Sequence, residues 1–259
     1  MSRASDIGYV GLALSGALIA VSVAISAWRR IGIERSLVWA AARAAAQLLA
    51  VGAALHLVLD ADSAIALSWL WVAGMVAFAA WTTSRRAPES PGAGRLSALA
   101  YGCGTAVTLG VLFGLGVFPV DQRTVVPLAG MTIGNSLSTT VLVARRIVAE
   151  LADKRDEVEA RLALGQSSRE AARPYLRNAV RDALIPHIET TKAVGIVFLP
   201  GAMVGLLLAG VEPLDAVKVQ AAVMYLVLGS VSTTTTVMAI GLAGRLFTAD
   251  HRLVRLARR

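Results

Sequence analysis

The apolar positions of this chain fall into seven long runs, separated by short polar joints and one long charged interruption. The runs cover residues 7–27, 37–59, 64–83, 96–118, 124–143, 193–210 and 216–242. Each is near the roughly 20 residues that a helix rising 1.5 Å per residue needs to cross about 30 Å of hydrocarbon. None alternates with a period of two, and all are rich in Ala, Val, Leu and Gly, so the pattern predicts helices and not a β-barrel. The expected fold is all-α: a polytopic membrane bundle of about seven transmembrane helices forming one domain over residues 1–259. The first run exceeds the 7–15 apolar residues of a signal-peptide core, and its positive charges, Arg29 and Arg30, follow it, so it is expected to be retained.

Composition agrees. The 259 residues are 56% hydrophobic and 16% charged, against about a quarter charged in soluble domains, and the mean hydropathy is +0.65. The placement of charge adds an orientation. Alternate joints hold Arg29, Arg30 and Arg35, then Arg85, Arg86 and Arg95, then a dense group from Arg145 to Arg181, then Arg245 and the C-terminal arginines. The opposite joints are short and acidic ("DADS", "FPVDQ", "GVEPLD"). The positive-inside rule then places the N-terminus outside and the C-terminus in the cytoplasm. A net charge of +8 is absorbed by the membrane face and the lipid in contact with it, so no nucleic-acid partner is implied. The single cysteine, Cys103, excludes a disulfide framework and reads as a small packing residue between two glycines.

The charged interruption is a cytoplasmic helical loop over residues 145–181. The fifth helix should continue out of the membrane, with Ile147, Leu151, Val158 and Leu162 on one stripe. Gly165 is a natural helix stop, and Ser167 with Glu170 three residues on forms a capping box that restarts the chain as a helix. Pro174 is expected to end that helix after about two turns and to begin the next. A two-turn helix is unstable alone, which favours a docking element over a solvated loop.

Polar residues within the runs are the other candidates. Arg43 and Gln47, at i and i+4, share a face of the second helix. Arg43 either snorkels to the interface or faces a path, while Gln47 should face the bundle. In "GMTIGNSLSTT", Asn135 either anchors a neighbouring helix or lines a path. Glu189 and Lys192 can neutralise each other at i and i+3, whereas His187 and Glu189 point to different faces. Pro200 and Gly201 should kink or break the sixth helix, and irregular backbone at that depth must be buried or face a cavity. Met131 and Met203 pack, or meet a transition metal in passing. Gly110–Gly114 and Gly201–Gly205 match the small-xxx-small spacing of close helix approach, and the "STTTT" run at 232–236 is expected to bond back to its own carbonyls. Metal ligands cannot be assigned, and no cofactor is implied. The chain has no HExxH, CxxC, nucleophile elbow or GxxxxGK[ST], so no enzyme is indicated. Energy for work on a solute must come from a gradient or another subunit.

These residues resemble the FetB-type permeases, the membrane subunits of a bacterial ABC transporter implicated in iron export. The resemblance lies in "RAAAQL" (43–48), "AGMTIGNS" (129–136), "LALGQSSREA" (162–171), "ALIP" (183–186), "VGIVFLPGAMVGLLLAGVEPLDAVKVQ" (194–220) and "MYLVLG" (224–229). Gln166 departs from the small residue usual after the glycine, and Thr132 and Leu137 vary around Gly134–Asn135. The resemblance implies a multi-pass permease of the bacterial inner membrane, acting as a homodimer with two cytoplasmic ABC ATPase subunits. Its cargo would be iron, another metal cation or a small solute. On that basis Glu159, Leu164, Gly165, Ser167, Arg169, Glu170 and Arg173 would couple to the ATPase. Arg43, Gln47, Met131, Asn135, Glu189, Lys192, Pro200, Gly201 and Met203 would belong to the translocation path. A gradient-driven secondary transporter and a non-transporting membrane scaffold are the alternatives.

Overall fold

The structure is a computed structural model that describes residues 11, 14–58, 65–248, 250 and 252–254, with the backbone alone for 55–58. It is a helical membrane bundle. The helices are α1 (Ala17–Arg29), α2 (Glu34–Val58), α3 (Ile65–Arg86), α4 (Ala93–Gly114), α5 (Gln122–Asp153), α6 (Arg155–Ala163), α7 (Ser168–Ala193), α8 (Gly201–Leu208) and α9 (Pro213–Ala243). Among the described residues there is no strand, only isolated bridges joining Val194 to Phe198 and Phe247 to Leu253. Among the described residues five helices are long and apolar enough to cross a membrane: α2 (over Glu34–Ala54), α3, α4, α5 and α9; α1 is apolar but shorter. The start of the first apolar run, with the question of its retention, lies outside the described residues.

The chain divides into two compact units, Met1–Ser63 with Val204–Pro213, and Ala64–Met203 with Leu214–Arg259. In the first, α1 and α2 pack against each other. Their joint is tight: Arg30 and Gly32 take left-handed backbone, at φ 54° and 81°. Across it, Ser26 Oγ donates to Glu34 Oε1 at 2.6 Å. Leu18, Val21, Ile25, Val38, Trp39, Leu48 and Leu49 remain exposed, as expected of faces that meet lipid.

The second unit holds the core. α3, α4 and α5 pack together, and α5 also packs on α7. Close approach is set by two glycines that the small-xxx-small spacing does not flag. A Cβ on Gly104 would collide with Thr234 Oγ1, and one on Gly241 would sit 2.6 Å from Leu96 Cδ2. Gly110, Gly114, Gly201 and Gly205 face open space, so that expectation is corrected. Buried hydroxyls then cross the gaps between helices: Ser136 to Ser230 at 3.1 Å, Thr105 to Thr132 at 3.3 Å, Thr83 to Tyr101 at 2.8 Å. Within the "STTTT" run, Thr235 is buried with no partner for its hydroxyl, against the expected back-bonding.

One further expectation fails for a tertiary reason. Pro174 does not end a short helix: α7 runs unbroken through Pro174 and Pro186. A helix-interior proline costs about 3 kcal/mol. The stripe Ala171, Tyr175, Ala179 and Ala183 is buried along α7, and this packing holds the helix together across it. The sixth apolar run, expected to be kinked or broken at Pro200 and Gly201, is broken there, and the break begins several residues earlier. Its helix ends at Ala193, residues 194–200 are non-helical, and α8 is only eight residues long. Gly195 at φ 86° starts the break, and Pro200, which disfavours helix at Leu199, completes it.

Candidate functional site

Two places in the second unit gather the candidate residues. The first is a cavity of about 250 Å³ between α5, α7, the 194–200 segment and α9. Met131 and Asn135 contribute from α5, one turn apart. His187, Thr190 and Thr191 contribute from α7, Phe198 and Pro200 from the irregular segment, and Gln220 and Met224 from α9. The broken backbone therefore lines a cavity, as its position within an apolar run requires.

Asn135 does not anchor a neighbouring helix: its Nδ2 donates to the carbonyl of Met131 at 2.8 Å, and the residue lines the cavity. His187 Nε2 lies 2.7 Å from Thr139 Oγ1. As expected, His187 and Glu189 diverge. Glu189 bonds Lys192 at 2.8 Å on a face where both are largely exposed, at 60% and 67%. Neither lines the cavity, and nor does Gly201, which only begins α8. Arg43 and Gln47 lie in the first unit, both exposed on α2, so Gln47 is not buried by the chain itself. Among the described residues, no three His, Cys, Asp or Glu side chains converge on a possible metal position.

Gln220 is the residue that sequence reasoning missed. Only 4% exposed, its Oε1 accepts from the N–H of Met203 at 3.2 Å, capping the first turn of α8 from another helix. The available signal was one amide in the apolar stretch "VQAAVMYL". Gln220→Leu should leave that N–H without its acceptor at a cost of about 1–3 kcal/mol. It should lower the melting temperature and raise amide exchange across 201–205; unchanged exchange there would refute the capping role.

The second place is the tip of the helical hairpin after α5. α5 ends at Asp153, α6 follows after Lys154, and the chain reverses at Gly165, whose φ of 87° suits glycine. The capping box forms as expected: Glu170 N–H donates to Ser167 Oγ at 3.3 Å, and Ser167 N–H donates to Glu170 Oε2 at 3.0 Å. Those bonds from Ser167 hold the Glu170 carboxyl below its usual range. The box is thus present above the ordinary glutamate pKa and is lost as pH falls through the lower folded value. Exchange of the Ser167–Ala171 amides, corrected for intrinsic rates, should accelerate only below the normal glutamate range, and not at all in Glu170→Gln.

Tyr175 Oη donates to Glu157 Oε2 at 3.0 Å and ties α7 to α6. The Glu157 carboxyl is also lowered, by Lys154 first and then by Tyr175. At the end of the hairpin Leu164 is 84% exposed, and Glu159, Gly165, Arg169, Glu170 and Arg173 are also exposed. The C-terminal tail, absent from the sequence reading, packs beside it. Arg155 Nη2 donates to the Leu253 carbonyl at 3.1 Å while its Nε holds Glu159 at 2.6 Å. Leu246 and Leu253 are buried with Val158. A groove of about 1080 Å³ runs between the hairpin and the tail.

The chain is similar to proteins from bacteria and plants. It is 36% identical over 225 residues to the UPF0014 membrane protein STAR2 of rice, covering 86% of this chain and 78% of that one. It is 31% identical over 243 residues to the "Probable iron export permease protein FetB" of Escherichia coli, covering 94% and 93%. It is 29% identical over 230 residues to Protein ALUMINUM SENSITIVE 3 of Arabidopsis thaliana, covering 88% and 83%. No solved structure matches. The profile of UPF0014, described as an uncharacterised protein family, matches residues 9–247. With that match spanning nearly the whole chain and FetB at full-length similarity, this membrane protein belongs to the UPF0014 family.

Proposed function

We propose that the chain is the permease subunit of an ABC transporter. It spans the bacterial inner membrane with seven segments, N-terminus outside, and exports iron, another metal cation or a small solute. The observation that carries this reading is the braced helical hairpin at Gly165. It carries the exposed Leu164 at its tip, it is fixed by a capping box and the Tyr175–Glu157 bond, and among the described residues nothing covers that leucine. A separate ATPase would seat there, contacting Glu159, Leu164, Gly165, Ser167, Arg169, Glu170 and Arg173, and act through α7 on the cavity lined by Met131, Asn135 and Pro200. The permease then remains one domain over residues 1–259 with its coupling loop at 145–181. Export of iron is named for the Escherichia coli relative, and it comes to this chain on that similarity.

A homodimer is part of the reading. Phe198 and Pro200 share a cavity with Met131 and Asn135, near the middle of the α5 span, so residues 194–200 lie at hydrocarbon depth. Yet Ile196 is 91% and Val197 77% exposed, and non-helical backbone does not face lipid. A second copy would cover it, and with it the exposed Glu189–Lys192 pair. A gradient-driven transporter is less well supported, since no carboxylate lines the cavity.

Co-purification tests the reading. A tagged permease should bring down an ATP-binding subunit in mild detergent and alter its ATPase rate. Failure of both would overturn it. Deletion should raise cell iron, and unchanged iron would remove iron as the cargo.

A further inference from the structure

A groove of about 440 Å³ between α7 and the last two turns of α9 belongs to neither place described above. Its walls are of two kinds. Arg169, Arg173 and Arg177, at i, i+4 and i+8, stand in a row along one face of α7, rising about 6 Å per step. Leu176 and Val180 from α7 and Ile240 from α9 form an apolar floor, and no acidic side chain lines the groove. All three arginines are exposed, and among the described residues none of their guanidinium groups has an ion pair or a hydrogen bond, although Arg173 lies close enough to Glu170 to favour its carboxylate.

The two kinds of wall are sorted by depth. In the proposed topology α7 approaches the membrane as its numbering rises and α9 leaves it, so Val180 lies nearer the hydrocarbon than Arg169. The floor opens onto a face of α9 where Ile240 is exposed at the end of an apolar span. A protein partner would need acidic groups to reach the arginines and an apolar strand to fill a floor that faces lipid. One amphiphile satisfies both walls at once. We propose that this groove binds an anionic phospholipid of the arginine-bearing leaflet, its acyl chain on Leu176, Val180 and Ile240 and its phosphate among Arg169, Arg173 and Arg177. Guanidinium favours phosphate through paired donors, and basic pockets between membrane helices suit acidic headgroups.

The test uses the full-length protein in nanodiscs of phosphatidylcholine, with and without phosphatidylglycerol, released into native mass spectrometry, with melting temperature read in parallel. The wild type should retain phosphatidylglycerol in preference to phosphatidylcholine and melt higher in its presence. Arg177→Gln, outside the hairpin assigned to the ATPase, should cut that preference about fivefold, and Arg173→Gln/Arg177→Gln by more than tenfold. Ile240→Gln should weaken retention with the charge unchanged. Equal retention of both lipids by the wild type, or preference undiminished in the double variant, would overturn the proposal. Equal stabilisation by inorganic phosphate would do so too, because the floor would then contribute nothing. If the double variant loses the ATPase subunit yet keeps its phosphatidylglycerol, the arginines serve a protein partner and the lipid site is wrong. Loss of lipid preference in Arg177→Gln with ATPase binding intact supports the site, and it leaves the transporter reading untouched.

Discussion

Gly104→Leu is expected to destabilise the bundle by about 3 kcal/mol, read as a lower melting temperature in detergent. A Cβ at this position would run into Thr234 Oγ1 and come within 3.4 Å of the Ser230 carbonyl. Both neighbours are buried, and Ser230 is already bonded to Ser136 and to the Thr132 carbonyl, so α9 cannot retreat without opening those bonds. Gly104→Ala should cost less, because alanine's better helix propensity offsets about 1 kcal/mol. Adding Thr234→Ala to it should restore most of the loss. Gly110→Ala, six residues further along the same helix and facing open space, should change stability by no more than about 0.5 kcal/mol. If the two alanine variants melt together, the contact between α4 and α9 is not what sets their separation.

If the proposed function holds, Leu164→Asp abolishes the partnership with the ATPase and leaves the permease folded. The side chain is 84% exposed at the end of a braced hairpin, so it stabilises nothing within the chain. A fully buried apolar anchor at the centre of an interface is commonly worth about 2 kcal/mol, or roughly thirtyfold in affinity. An aspartate in its place adds the cost of burying a charge. The expected result is at least tenfold less co-purified ATPase at an unchanged melting temperature. Gly165→Val should act differently: a β-branched residue resists the left-handed backbone at φ 87°, so the turn itself should loosen and stability should fall along with coupling. Normal recovery of the ATPase by Leu164→Asp would move the docking surface elsewhere, for instance to the groove beside the C-terminal tail.

The parts of the site that could be read from sequence are those whose causes are local. Gly165, the Ser167–Glu170 box and the Glu189–Lys192 pair each depend on residues within four positions, and each forms as read. Pro174 was misread because its local effect is real but outweighed: four buried residues spaced by four along α7 carry the helix through it. Gln220 and the tail at Leu246–Leu253 were missed because they act on residues 17 and nearly 100 positions away, Met203 and Arg155. No periodicity encodes such a pairing. Asn135 shows the intermediate case. Its polarity marked it, but only the structure turned its donor to its own helix and placed the residue on the cavity wall.

Apolar length, charge asymmetry and helix-capping chemistry were therefore sufficient for a helical membrane protein with a charged hairpin on one side. The identity of the facing residues was not, and the reason lies in the solvent. Lipid tails are as apolar as leucine, so hydrophobicity does not distinguish a buried helix face from an exposed one. That choice depends on how each helix is rotated against its neighbours. Tertiary packing set that rotation: it put Gly104 and Gly241 at the contacts, left Gly110 and Gly114 open, and turned the 194–200 break into the wall of a cavity.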